Sequence, residues 1–299
     1  MKMKSAVILQ SDPRQTGAAP LPGFRQEVRG HAAIRFERRD GETRLAHLAH
    51  QAPLRVLFPR PAEGDVAQAA LVNISGALIA GDQLDIDLSV GQNAAAVCVA
   101  GAAEKICRSG AGETSLIRVN LTAERNAWAE WLPQESIFFN GARLRRAMAL
   151  RLEAGARILA GEFLVLGRAA SGESVTDGYL RDAFEVRQNG RLIWADALRL
   201  DGGFSDAAAA KPCLHGARAL ATLVHAGEGA AAALDMARRL QQDAGEGVFA
   251  SASAVNGVLV MRWLSPEPWM LRERLGKFWA AFRHQAAGLP QSLPRIWHV

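Results

Sequence analysis

A mainly β protein closing in a small helical portion is the fold class that this 299-residue sequence predicts. Three observations carry the prediction. Between about residue 24 and residue 202, short apolar or alternating runs are broken by Gly, Asp, Asn or Pro roughly every 8–12 residues, the punctuation of an all-β chain. Asn189-Gly190 and Asn256-Gly257 each stand between two such runs, and Asn-Gly supplies the positive φ angles of a type I′ hairpin turn. Beyond residue 205 two segments change to helical spacing.

The elements follow in chain order. Residues 1–22 are polar, contain Pro13, Pro20 and Pro22, and read as a disordered leader ahead of one domain at 23–299. Its β body is expected over about 23–204, with a mixed helical and hairpin part over 205–299. Strands are predicted at 32–38 before Asp40-Gly41, at 84–90 before Gly91, at 115–121, at 145–152 before Gly155, and at 157–166. The Asn189-Gly190 hairpin spans 184–198 and the Asn256-Gly257 hairpin spans 248–264. Helices are predicted at 229–243, through Leu234, Ala237, Arg238 and Leu240, and at 269–285, through the stripe Leu271, Leu275, Phe278, Trp279 and Phe282. No fixed-period repeat is visible, so the residues alone predict a mostly antiparallel assembly with a helical cap.

Composition narrows the function classes. No uncharged apolar run reaches the roughly 18 residues of a membrane span, and the apolar stretch near the start is too short for a secretory signal. Three cysteines, Cys98, Cys107 and Cys213, have no pair-like spacing and fit a reducing compartment, so a cytoplasmic location is expected. The net charge is +5, with 11 basic against 5 acidic residues in 1–60 but 4 against 10 in 61–140. Such asymmetry suits docking to other proteins by complementary fields, or simply an arginine-rich solvated surface. It speaks against a nucleic-acid binder, which needs a basic stripe interleaved with aromatics.

Metal and catalytic signatures are sparse. Only His47 and His50 are close among the histidines, and on a strand a spacing of three turns them to opposite faces. With no paired-cysteine motif either, no tight metal site is expected. No G-x-S-x-G elbow and no phosphate-cradling loop are present. In SGALIAGD at 75–82, Gly76 and Gly81 permit a tight bend that Asp82 caps or bridges. Two carboxylates sit in runs that are apolar on both faces: Glu135 in QESIFF and Glu162 in ILAGEFLVLG. An unpaired buried carboxylate costs several kcal/mol, so each requires a cation such as Arg143 or Arg168, backbone donors, or a wet cavity. Glu104 and Lys105 in EKICRSG read either as charges at a strand end or as groups that face a partner or an interior path. A carbohydrate-active enzyme using Glu135 and Glu162 as acid and nucleophile is the competing reading; it needs carboxyls about 5–10 Å apart and aromatic platforms. The chain has one tyrosine.

The motifs LRVLFPRP at 54–61, ISGALIAGDQLDIDLSVG at 74–91, AGAAEKICRSG at 100–110, EWLPQESIFFNGAR at 130–143, LGR at 166–168 and PRIW at 294–297 together resemble the urease accessory protein UreD (UreH) family. Ala77 and Ala80 replace glycines of the family pattern, and Cys107 stands where an aromatic is usual. The resemblance implies an elongated, β-helix-like two-layer stack of short strands with two C-terminal helices. It also implies a scaffold without enzymatic activity that contacts apo-urease and UreF, with the GTPase UreG recruited through UreF. Nickel would be cargo in transit through a polar tunnel, with no permanently bound cofactor. Candidates for that path are Glu135, Glu162, Asp82, Glu104 and Lys105. A conduit must release what it admits, which suits carboxylates and water better than thiolates and imidazoles. Phe278, Trp279, Phe282 and Trp297 are read as core or, with nearby loops, as the UreF-facing surface.

Overall fold

The computed structural model describes residues 27–110, 112–168, 171–242 and 247–298; the leader expected at 1–22 lies outside them. The first half of the chain gives β1 Arg29–Arg39, β2 Glu42–Gln51, β3 Leu54–Leu57, β4 Ala67–Asn73, β5 Gln83–Val90, β6 Ala95–Ala100, β7 Glu104–Ile106, β8 Ser115–Ala123, β9 Trp128–Leu132 and β10 Glu135–Phe138. The second half gives β11 Arg143–Leu152, β12 Arg157–Leu166, β13 Tyr179–Gln188, β14 Arg191–Asp201, α1 Phe204–Ala209, β15 Ala219–Gly227, α2 Leu234–Gln242, β16 Phe249–Val255, β17 Val258–Ser265 and α3 Pro268–Ala287.

Two sheets face each other. The first runs β14-β13-β11-β8-β5-β1-β2, and the second runs β16-β17-β15-β12-β9-β6-β4-β3, with β10 pairing β12 as well and β7 pairing β10. From β4 to β13 the chain alternates between them, so each bend delivers it to the opposite layer and the turns of the coil stack in parallel. The expected β-helix-like two-layer stack is what forms. Antiparallel pairing, expected for most of the chain, is confined to the ends: β1 with β2, β3 with β4, β13 with β14, and the run β12-β15-β17-β16. Turn residues mark where a strand ends but not where the next one goes, and here a strand of the other sheet serves as the crossover that parallel pairing needs. Both Asn-Gly hairpins are present, with φ of 50° and 80° at Asn189 and Gly190 and of 49° and 80° at Asn256 and Gly257.

Alternation builds the core. Ile34, Phe36, Leu84, Ile86, Leu88, Val119, Leu144, Met148 and Leu150 fill the space between the sheets. The second sheet is covered on its other face as well, where Leu159 and Phe163 meet Leu271, Leu275, Phe278, Trp279 and Phe282 of α3. That is why β12 reads as an almost unbroken apolar run. Burying each large side chain of this stripe contributes about 1.5–3 kcal/mol. Pro268 opens α3 and Gly288, at φ 66°, closes it. The short α1 was not expected; its Phe204 stacks on Phe138 at 5.5 Å. Among the described residues no helix is long and apolar enough to cross a membrane.

Candidate functional site

Glu162 points inward from β12, between the sheets, and meets a guanidinium. Arg146 occupies the inner face of β11, in line with Leu144 and Met148, and its Nη1 lies 2.6 Å from Glu162 Oε2. The parallel register sets Asp182 of β13 beside Arg146, and Asp182 accepts two bonds from it, at 2.9 Å from Nε and 2.7 Å from Nη2. Ser136 Oγ accepts a third from Nη1 at 2.8 Å. All of this lies inside the protein, with Arg146 1% and Glu162 5% exposed. One cation therefore serves two carboxylates. Burial pushes the Glu162 carboxyl up to about 7; Arg146 and the nearby Trp131 indole oppose that rise and Asp182 adds to it. Burial also disfavours charge on Arg146, but Asp182 and Glu162 outweigh it and hold the guanidinium above its ordinary value.

Two cavities meet at this cluster. An inner one of about 70 Å³ is bordered by Asn73, Glu104, Trp131, Ser136, Arg146 and Glu162. It has room for water, and the Trp131 indole N–H, buried and without a regular hydrogen bond, is a donor on its wall. An outer pocket of about 350 Å³ is bordered by Glu162, Asp182, Asp196, Arg262, Phe249 and Trp263. Arg262 pairs with Asp196 there at 2.6 Å. Glu162 borders both spaces. At the far end of the inner cavity Glu104, aligned with Ser136 in the β7–β10 ladder, is held by an amide and not an arginine: Asn73 Nδ2 donates to both of its oxygens, at 3.0 and 3.1 Å. Burial pushes its carboxyl up to about 7, against the Asn73 bond and with the help of Asp82.

The other predicted residues lie elsewhere. Glu135 aligns with Phe163 across the β10–β12 ladder, one position after Glu162, so the two carboxylates project from opposite faces of the sheet. Glu135 is half-buried against α3, where Arg272 binds it together with Gln134 Oε1 and the Trp297 carbonyl. A glycosidic bond cannot sit between acids on two sides of one sheet, and both are held in ion pairs, so the acid-and-nucleophile pairing of Glu135 with Glu162 is overturned. The cations are Arg272 and Arg146, not Arg143 or Arg168; Arg168 binds Glu173 at 3.0 Å. Asp82 caps the expected bend, its carboxylate accepting from the backbone N–H of Val28 and Ile79 at 3.0 and 2.9 Å between Gly76 and Gly81, both at φ 81°. It borders neither of these two cavities, and Lys105 is exposed. Phe278, Trp279, Phe282 and Trp297 are all buried and form core, which leaves them no exposed ring to offer a partner.

Sequence reasoning missed Arg146, although a charge on the apolar face of an alternating strand is a readable signal. It missed a second buried cluster too. Glu130 accepts from the indoles of Trp128 and Trp279, both at 2.7 Å, and from Arg283 at 3.0 Å. Arg283 also binds Asp65 at 2.6 Å, which ties α3 to the start of β4. Its sign was a basic residue directly after Phe282 in the helix stripe. Among the described residues no cluster of three or more His, Cys, Asp or Glu is placed to hold a metal ion.

The description "UreD urease accessory protein" belongs to a family model that matches residues 28–298. The chain belongs to the UreD urease accessory protein family. Among its relatives, the urease accessory protein UreD of Magnetococcus marinus is 40% identical over 277 residues, covering 92% of this chain and 95% of that one. The UreD of Methylobacterium sp. strain 4-46 is 43% identical over 87% of this chain and 90% of its own. For Xanthobacter autotrophicus the figures are 39% identity and 98% of each. Membership in the UreD family supports a role in urease maturation.

Proposed function

We propose that this UreD-family chain is a cytoplasmic, non-enzymatic scaffold that docks apo-urease and UreF, with UreG joining through UreF, and that nickel passes through its β body on the way to urease. The observation that carries the reading is the position of Glu162, which borders the outer pocket and the inner cavity at once. The Arg146 cluster holds two carboxylates against one guanidinium, and Glu104 adds an acid held by the Asn73 amide and the Lys105 backbone N–H with no arginine beside it. Carboxylates and water bind nickel less tightly than thiolates or imidazoles do, which suits release as well as entry. The Arg146–Glu162 pair sits where the two spaces meet, and on this reading the passage is gated rather than a standing open tunnel: the pair parts for an ion to go by. The route runs over Asp182, Glu162 and Glu104, and leaves out Glu135, Asp82 and Lys105.

Co-expression of a urease operon in which this chain carries Glu104→Gln and Glu162→Gln tests the reading. Nickel per urease, measured by elemental analysis, is expected to fall while urease and UreF still co-purify with the variant. Full loading by the double variant overturns the route, and full loading in the absence of the chain overturns the scaffold.

A further inference from the structure

The outer face of the first sheet carries a row of like charge. Arg145 of β11 lies beside Arg181 of β13, which lies beside Arg199 of β14. Neighbouring strands are about 4.8 Å apart, so three guanidinium stems stand side by side on one face. Such like-charge neighbours across strands destabilise a sheet. Asp201 relieves Arg199 at 3.0 Å, whereas Arg145 and Arg181 have no acidic partner among the described residues. The row is also organised. Tyr179, the chain's one tyrosine, sits between two guanidiniums, with Arg143 at 5.1 Å and Arg199 at 5.9 Å from its ring. Arg143 Nε is buried without a hydrogen-bond partner. One step along the face the register is Ala147, Ala183 and Ala197, three short side chains with Ala183 7% exposed, and the row is bounded on β8 by Arg118, which is already paired with Asp85.

We propose that this face docks an acidic segment of a partner protein, whose carboxylates land on Arg145 and Arg181 while its backbone lies over the three alanines. Arginine presents a planar fork that fits a carboxylate with two bonds. Charge complementarity decides the class of partner, and the surroundings favour protein over the other polyanions. Nucleic acid binding uses exposed rings as stacking platforms, and the one ring here is flanked by cations. A membrane surface engages protruding aromatic or long aliphatic anchors, and the short side chains here are alanine. The inference is independent of nickel passage, because neutralising this face leaves Glu104, Glu162 and Asp182 untouched.

The test is fluorescence anisotropy of a labelled poly-L-glutamate peptide titrated with the full chain at low salt. Arg145→Glu/Arg181→Glu and Arg145→Gln/Arg181→Gln are compared with the unaltered chain and with Arg60→Glu/Lys211→Glu, which makes the same charge change as the first variant on exposed residues elsewhere. Both face variants are expected to bind about tenfold more weakly, the effect of two exposed ion pairs, and the control to change by less than about threefold. Thermal melting adds a second readout: the glutamine pair relieves the like-charge row and is expected to melt no lower than the unaltered chain. The proposal is overturned if the face variants bind the peptide unchanged or if the control loses as much. It is equally overturned if a single-stranded oligonucleotide or phosphatidylserine vesicles bind the same arginines more tightly than the peptide does.

Discussion

Replacing Glu162 by Gln separates what this carboxylate does for stability from its proposed part in transit. Its carboxyl is raised from the ordinary 4.5 to about 7, mainly because burial penalises the charge. One pKa unit corresponds to about 1.4 kcal/mol, so keeping Glu162 ionised costs the fold about 3 kcal/mol at pH 8. An acid whose folded value lies above its unfolded one contributes stability that is fully present below about pH 4.5 and is lost as pH rises through about 7. The glutamine keeps the shape, stays beside Arg146 without the charge, and leaves Arg146 matched one-to-one with Asp182. Urea unfolding followed by tryptophan fluorescence at pH 5, 6, 7 and 8 is therefore expected to show the variant gaining on the unaltered chain with each step, by up to about 3 kcal/mol at pH 8. Glu104 and His225 titrate in both proteins and cancel from the difference. A difference that stays flat with pH, or a variant that loses about 3 kcal/mol at pH 8, refutes the reasoning, since either result makes Glu162 a normally ionised, stabilising ion-pair member.

Arg283→Met leaves Glu130 and Asp65 buried without their cation; a loss of about 3–5 kcal/mol is expected, read as a drop of the order of 10 °C in thermal midpoint, and a shift below about 2 °C counts against the clamp. Burial lowers His225 from its ordinary 6.5 to about 4, although its hydrogen bond with the Ile158 carbonyl opposes this. A base held low in the fold contributes stability present above pH 6.5 and lost as pH falls towards 4. His225→Leu is expected to cost about 1–3 kcal/mol at neutral pH, for the carbonyl left unpaired, while losing less between pH 7.5 and 4.5 than the unaltered chain; an unchanged acid loss assigns that sensitivity to another group.

The strands and both Asn-Gly hairpins were legible because turn chemistry and alternation are local. Parallel stacking was not, and the registers say why. Gln83 lies beside Leu116, 33 positions on; Leu116 beside Arg145, 29 on; and Arg145 beside Arg181, 36 on. A coil whose turns differ in length leaves no fixed period to find. The same cause hid part of the site. Enclosure of Glu162 followed from apolar residues on both sides of it, and the misplaced charge at Arg146 was there to be read, but Asp182 joins them only through a register that the sequence does not display. For Glu135 the local signal was true and the inference from it was not: its neighbours are apolar, yet the sheet turns it outward to Arg272 on α3.

A two-layer parallel coil has a property that an antiparallel sandwich of the same strands lacks. Inward positions of successive turns line up across the ladders, so one polar inward residue per turn makes a line through the interior instead of scattered defects. That is the arrangement of Glu104 beside Ser136 in one sheet and Arg146 beside Asp182 in the other, with Glu162 facing Arg146 between them. Apolar residues fill the remaining inward positions, and α3, fastened through Glu130, Arg283 and Asp65, seals the far side of the second sheet. The charges on the line are consequently shielded from bulk water except through the two cavities, which keeps their mutual interactions strong. An arginine shared by two acids sits at the junction, and on the proposed route it is the group that would hold the line shut while leaving an excess of negative charge for a cation to meet. In such a line a change at one turn would bear on the proposed passage without disturbing the stacking of the others.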